Sequence, residues 1–289
     1  MESSINHAAL DEPAISAANV HCGYGDLHVL RGIDLTVGRA EGVVLLGANG
    51  CGKSTFMRCI AGLERVTAGT IRVDGTDIVG SRPSTVRSAR RRIGYVFQHF
   101  NLVAQLSAFQ NVLFGVMGQR PMGIVNCFNL TASRADRERA MNCLDRVGMA
   151  GKANSRPTEL SGGQQQRVAI ARMLMQAPRV VIADEPIASL DPRAGREVLD
   201  LLWCVADEEK IGLLCTLHQL ELAREYGKRV VGMKAGRIVL DRHVDTLHED
   251  ELTDLYRGVA RVDESPAAVP AQPADQPPNL VGTMEGAAR

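Results

Sequence analysis

No apolar run in the 289-residue chain approaches the roughly 20 residues that a spanning helix needs; GVVLLGA and RVVIAD, the longest, are far shorter. The chain is therefore not expected to cross a membrane by itself. It has no excess of either charge, because 33 Lys and Arg face 33 Asp and Glu. Global attraction to nucleic acid or anionic lipid is thereby removed, and only local patches remain. The opening MESSINHAALDEPAIS lacks the basic-then-apolar order of a signal peptide. Cysteines at 22, 51, 59, 127, 143, 204 and 215 include no C-x-x-C pair, which fits free thiols in a reducing compartment rather than a disulfide framework or zinc site. No internal repeat is visible. What remains is ordinary: 45% hydrophobic and 23% charged residues exclude wholesale disorder and collagen-like classes, and the length suits one globular body with something appended.

The appended parts are legible. The last 26 residues, from Glu264, hold five of the twelve prolines and, of Leu, Ile and Phe, only Leu280. Residues 263–289 are therefore expected to be a disordered Pro/Ala-rich tail. Residues 1–15 are expected to be a flexible N-terminus, leaving a body over 16–262. Within it, short apolar runs end abruptly in polar residues: VVLL (43–46) in a Gly-rich loop, VVIA (180–183) in Asp184-Glu185, and LLCTL (213–217) in His218. Near-continuous apolar strands predict a parallel sheet covered on both faces, and ligands of such sheets collect at the carboxyl ends of the strands. Two hairpins are predicted, turning at Asp74-Gly75 and Ala235-Gly236. From about 102 to 160 helical patterns dominate, as in SRADRERAMNCLDRVGM (133–149), with Ser133 as N-cap and Gly148 near the end. The expected fold is α/β, with a mostly parallel sheet, an antiparallel β subdomain and a helical insertion.

GANGCGKST (47–55) matches G-x-x-x-x-G-K-[ST] between an apolar strand and a helical stretch. Gly47, Asn49, Gly50, Cys51 and Gly52 form the loop, whose glycines let backbone N–H groups turn inward toward phosphate. Lys53 is placed for the β and γ phosphates, Ser54 for magnesium and Thr55 for the α-phosphate region. VVIADE adds Asp184, expected to hold the metal, and Glu185, expected to polarise an attacking water. LSGGQQQR (160–167) offers a second helix terminus: Ser161 as N-cap, Gly162 and Gly163 exposing amides, and Gln164 opening the helix. Cys51 carries two readings, a small tolerated residue or a thiol activated by the loop amides. The basic string VRSARRRIG (86–94) is read as a solvated helical face, because the chain has no basic excess elsewhere.

Together, LSGGQ, the P-loop whose Lys53 precedes Ser161 by 108 residues, and VVIADE resemble the nucleotide-binding subunit of ATP-binding cassette (ABC) proteins, over about Val20 to Tyr256. The resemblance implies further roles: Tyr24 stacks on adenine, Gln98 contacts magnesium and reports nucleotide state, Ser189 to Asp191 form a loop crossing between subunits, and His218 touches the γ-phosphate. It implies a P-loop NTPase core, ATP and Mg2+ as cofactors and a second copy completing a nucleotide-sandwich dimer. It also implies integral-membrane permease subunits, an extracytoplasmic solute-binding protein, no nucleic acid, and a peripheral place on the cytoplasmic face of the inner membrane.

FQHFNLV, NVLFGVMGQRP, ASLDP, TLHQLELAREYGKRVVGMKAGRIVLD and ELTDLY narrow the resemblance to the ATP-binding subunit of phosphonate or phosphite importers. Three alternatives stay open: import of polar amino acids, import of another solute, and a soluble accessory ATPase of a carbon-phosphorus lyase complex. Repair and chromosome-structure forms are set aside, because 108 residues between P-loop and signature leave no room for their long coiled coil.

Overall fold

The structure is a computed structural model that describes residues 12–116 and 132–248, with 250, 251 and 255. The chain divides into Met1–Arg257 and Gly258–Arg289, and every described residue lies in the first unit. The expected tail over 263–289 lies outside the described residues. So do residues 117–131 of the helical insertion.

The VVLL run becomes β3 (Gly42–Leu46), at the centre of a six-stranded sheet. Its neighbours are β9 (Arg229–Lys234), beyond which lies β10 (Arg237–His243), and on the other side β8 (Gly212–Thr216), β7 (Val180–Ala183) and β6 (Ile93–Val96). All pairings are parallel except β9 with β10. The central strands β3, β7 and β8 read as near-unbroken apolar runs because both faces are buried. Val43 and Leu45 enter one core with α1 (Lys53–Ile60), while Val44 and Leu46 enter the other with α5 (Gly162–Met175) and α6 (Pro192–Glu208).

The antiparallel subdomain is a four-stranded sheet of order β2 (Leu27–Val37), β1 (Ile15–Tyr24), β4 (Ala68–Val73), β5 (Thr76–Asp77). Both predicted hairpin turns form. Asp74 and Gly75 have φ of 46° and 74°, and Ala235 and Gly236 have 48° and 79°, the left-handed pairs that two-residue hairpins require. At Gly236 a β-carbon would lie 2.0 Å from the Val29 carbonyl oxygen, so contact as well as backbone conformation demands glycine. The expected flexible N-terminus through residue 15 is corrected at its inner end. Ala14 and Ile15 are buried, and Ile15 pairs with both Val37 and Val73, which makes it part of the sheet.

The helical layer contains α3 (Ala108–Leu113) and α4 (Arg134–Arg146). Ser133 caps α4 by accepting from the Asp136 amide at 3.1 Å, and Gly148 follows at φ 70°, as the sequence signals predict. The layer extends past residue 160, because α5 buries one side against α3 and α4. Residues 83–90 form α2 (Pro83–Arg90). Among the described residues no helix is long and apolar enough to cross a membrane.

Candidate functional site

Parallel pairing carries the ends of β3, β6, β7 and β8 to one edge of the sheet, and the sequence-predicted chemistry begins there. After β3 the chain turns through Gly47, where a β-carbon would lie 2.3 Å from the Met233 carbonyl oxygen. It enters α1 from Gly52 at φ 107°, a backbone that L side chains rarely adopt. The first helical bond runs from Phe56 N to Gly52 O at 2.9 Å. The amides of Lys53, Ser54 and Thr55 thus precede the first helical bond and have no carbonyl of the helix to bond, as at an anion-binding terminus. The Lys53 ammonium, 4% exposed, donates to the carbonyls of Gly47 at 2.7 Å and Ala48 at 3.2 Å, so a buried cation is held within the loop that would cradle phosphate.

The Asp-Glu pair meets this loop directly. The Ser54 hydroxyl donates to Asp184 Oδ1 at 3.0 Å. Glu185, the next residue, has φ 50° and accepts from His218 Nε2 on Oε1 at 2.7 Å. That hydrogen bond is the main reason the Glu185 carboxyl sits below the usual carboxylate range. Burial opposes it, and the charges of His218 and Lys53 add to it. The group is therefore an ionised carboxylate at neutral pH, the state a general base needs. Ser54 and Asp184 present hard oxygen donors. Among the described residues no cluster of three or more His, Cys, Asp or Glu forms a metal cage. One hydroxyl and one carboxylate suit an Mg2+ ion that completes its shell with water and phosphate oxygens.

The remaining predicted residues divide. Tyr24, at the end of β1 and 47% exposed, has its phenol pushed up by burial and by the neighbouring Glu64, while a hydrogen bond with Thr55 opposes this. Its ring thus stands beside the P-loop helix. Gln98 lies two residues past β6, exposed, and no hydrogen bond from its carboxamide to Ser54, Asp184 or Glu185 is present. Asn49 and Gly50 are exposed at the loop tip. Ser161 caps α5 in a reciprocal box with Gln164, at 3.3 Å and 3.1 Å, and Gly162 and Gly163 pack closely against Leu190 and Ala194. Asp191 caps α6, accepting from the Ala194 amide at 3.0 Å. The signature residues 161–164 make no hydrogen bond to the P-loop of the same chain among the described residues. At Cys51 burial works against the activated thiol and supports the small tolerated residue. The side chain is 8% exposed, and burial raises its thiol by more than Lys53 and the loop amides lower it.

Sequence reasoning missed three residues that support the site. Tyr95 on β6 donates to Asp184 Oδ2 at 3.3 Å, and Thr216 at the end of β8 bonds both Asp184 and the Glu185 amide. Gln166 on α5, fully buried, donates to the Pro186 carbonyl at 2.8 Å and the Phe97 carbonyl at 3.4 Å. It thereby ties the signature helix to the loops after Glu185 and before Gln98. The signal for Thr216 was a polar residue within an apolar run, whereas Gln166, between Gln165 and Arg167, carried none. The basic string lines a groove of about 580 Å³ in which Arg87, Arg90, Arg91 and Arg172 surround Tyr95, Phe97 and Phe114.

A phosphate-binding loop, an adjoining Asp-Glu strand end and a capped signature helix on this sheet define an ATP-hydrolysing cassette, and residues 30–188 match the family model for ABC transporters. The chain belongs to that family. Among its relatives, the phosphate-import ATP-binding protein PhnC of Mycolicibacterium smegmatis is 46% identical over 93% of this chain and 99% of its own length. The phosphonates import ATP-binding protein PhnC of Nocardia farcinica is 45% identical over 90% and 96%. The dimeric structure of the ATP-binding cassette MJ0796 bound to ADP and Pi superposes with a TM-score of 0.68 at 31% identity, covering 80% of this chain and 98% of that one.

Proposed function

We propose that two copies of this chain hydrolyse Mg2+-ATP on the cytoplasmic face of the inner membrane to power import of phosphonates or related phosphorus oxyanions through an integral-membrane permease. An extracytoplasmic solute-binding protein delivers the solute. The observation that carries the hydrolytic part is the convergence of Ser54 on Asp184 at 3.0 Å beside the Glu185–His218 pair at 2.7 Å. Likeness to the two import proteins supports the solute class.

In this reading the amides of Gly50 to Thr55 and the Lys53 ammonium bind the phosphates, and Tyr24 stacks on the base. Ser54 and Asp184, with Gln98, hold Mg2+, which supplies charge neutralisation on the phosphate oxygens. Glu185 orients a water and takes its proton as the water oxygen attacks the γ-phosphorus and the bond to the β-phosphate oxygen breaks. His218 leaves Glu185 to bond the γ-phosphate. The outward-facing terminus at Ser161, Gly162, Gly163 and Gln164 is left without a phosphate in its own chain. A second copy gives it one, so ATP stabilises the closed pair and hydrolysis releases it. The loop ending in Asp191 runs along that contact. The arginine-lined groove next to Gln98 takes a cytoplasmic segment of the permease, whose fit selects the partner and through it the solute.

The test is growth of a cell lacking this subunit. It is expected to fail on an alkylphosphonate or phosphite as sole phosphorus source, to grow on orthophosphate, and to stay deficient when supplied with Lys53→Ala. A defect in amino-acid uptake with normal phosphonate growth would reject the solute class. Normal uptake with failed phosphonate breakdown would indicate a lyase-accessory ATPase instead.

A further inference from the structure

Thr216 is a fully buried polar residue at the end of a strand that is otherwise apolar. The parallel register places Ala183 opposite Cys215, which brings the next residues, Asp184 and Thr216, side by side. The Thr216 Oγ1 accepts from the Glu185 amide at 2.7 Å. Its proton goes to Asp184 Oδ1 at 3.2 Å, with the Ala183 carbonyl farther off at 3.5 Å. Asp184 Oδ1 is also the atom that accepts from Ser54. One hydroxyl thus fixes the carboxylate beside the P-loop serine and the backbone of the next residue. That backbone needs fixing, because Glu185 stands at φ 50°, a conformation that a non-glycine side chain keeps only when its surroundings hold it. Two residues after Thr216 the same strand end delivers His218, whose Nε2 holds the Glu185 carboxylate. Glu185 is therefore gripped at its amide and at its side chain by residues two apart on one segment.

From this geometry we infer that Thr216 is a positioning residue for hydrolysis, setting at once the Asp184 oxygen that accepts from Ser54 and the direction of Glu185. The inference rests on the proposed roles of Asp184 and Glu185. A hydroxyl acting only in packing would serve equally as a methyl. A positioning hydroxyl is lost in Thr216→Val, which keeps the branched shape, and retained in Thr216→Ser. Removing an outer partner of a metal-facing ligand typically costs about 10- to 100-fold in metal affinity or activity.

The experiment uses the full chain. Steady-state hydrolysis gives kcat and KM for ATP, and calorimetry gives ATP affinity with and without Mg2+. Thr216→Val is expected to lower kcat by about tenfold or more, to leave ATP affinity without Mg2+ unchanged, and to lose much of the gain in affinity that Mg2+ brings. Thr216→Ser is expected to restore both. Parental kcat and parental Mg2+ dependence in Thr216→Val would overturn the inference, and so would equal losses in the Ser and Val variants. If Thr216→Val does not fold, Thr216→Ala is judged by the same readouts. Glu185→Gln, measured alongside, separates the two levels. A parental rate there removes the proposed role of Glu185 itself, whereas a slow Glu185→Gln beside a parental Thr216→Val removes only the role of Thr216.

Discussion

Replacing Glu185 with glutamine isolates one property of the site. The carboxamide keeps the length of the side chain and an oxygen that can accept from His218 Nε2, so the 2.7 Å contact has no steric reason to break. The backbone bond from the Glu185 amide to Thr216 Oγ1 is untouched. What disappears is the ability to take a proton. Positioned general bases contribute about 10²- to 10⁴-fold, which at about 1.36 kcal/mol per decade raises the barrier by about 3–5 kcal/mol. The fold is expected to lose far less, because the Glu185 side chain is 17% and that of His218 37% exposed, and partly solvated pairs contribute about 1 kcal/mol at most. Single-turnover hydrolysis of labelled ATP measures the first quantity and thermal unfolding the second. Light scattering should show a dimer accumulating with ATP, since binding is kept and release by hydrolysis is slowed. Hydrolysis at the parental rate would refute the reasoning, and so would a slow variant whose melting temperature had fallen steeply, because the loss would then belong to the fold.

His218→Ala tests the origin of the Glu185 titration. The hydrogen bond from His218 holds that carboxyl below its usual range, so the stability of the pair is complete above the unfolded carboxyl's titration and is lost as pH falls through the folded one. Removing the imidazole is expected to move the acid limb of the kcat profile upward, and an unmoved limb would deny the coupling. Lys53→Ala is expected to weaken ATP binding itself, measured by equilibrium dialysis, because it removes the cation held at the loop carbonyls; unchanged affinity would place the phosphates elsewhere. With its thiol raised by burial, Cys51 is expected to react with N-ethylmaleimide more slowly than the exposed Cys204. Peptide mapping by mass spectrometry would show the order, and Cys51 labelling first would favour the activated-thiol reading.

The parts of the site that were legible in the sequence are those made by consecutive residues. The loop from Gly47 to Thr55 announces itself because glycine is needed where φ is positive and where the Met233 carbonyl crowds the chain. Ser161 and Ser133 announce helix starts because a cap and its partner amide are three residues apart. The turns at Asp74-Gly75 and Ala235-Gly236 are local for the same reason. Tyr95, Gln166 and Thr216 were not legible because their partners lie 89, 20 and 32 positions away for the bonds to Asp184, Pro186 and Asp184. Only strand pairing and helix packing bring them together. Ile15 falls inside the expected flexible N-terminus because the Asp11-Glu12-Pro13 segment before it gives no strand signal, whereas its place is decided by two strands farther along the chain. At Cys51 the sequence shows a helix terminus that lowers a thiol's titration, and only the folded packing shows the burial that outweighs it.

The two-sided burial of the central strands leaves them poorly addressed. In a sheet with one wet face, sliding a strand by one residue turns its apolar side outward, and that penalty fixes the alignment. In β3, in β7 and in β8 as far as Cys215 the strand residues are apolar or glycine and nearly all are covered, so hydrophobicity alone hardly distinguishes the native alignment from its neighbours. The polar groups at the strand ends do distinguish it. Moving β8 by one position past β7 would withdraw the Thr216 hydroxyl from the Glu185 amide and leave both groups buried and unbonded. The polar groups at the sheet edge therefore also act as an index mark for folding, and the residues proposed to serve hydrolysis are at the same time those that tell the strands where to stop.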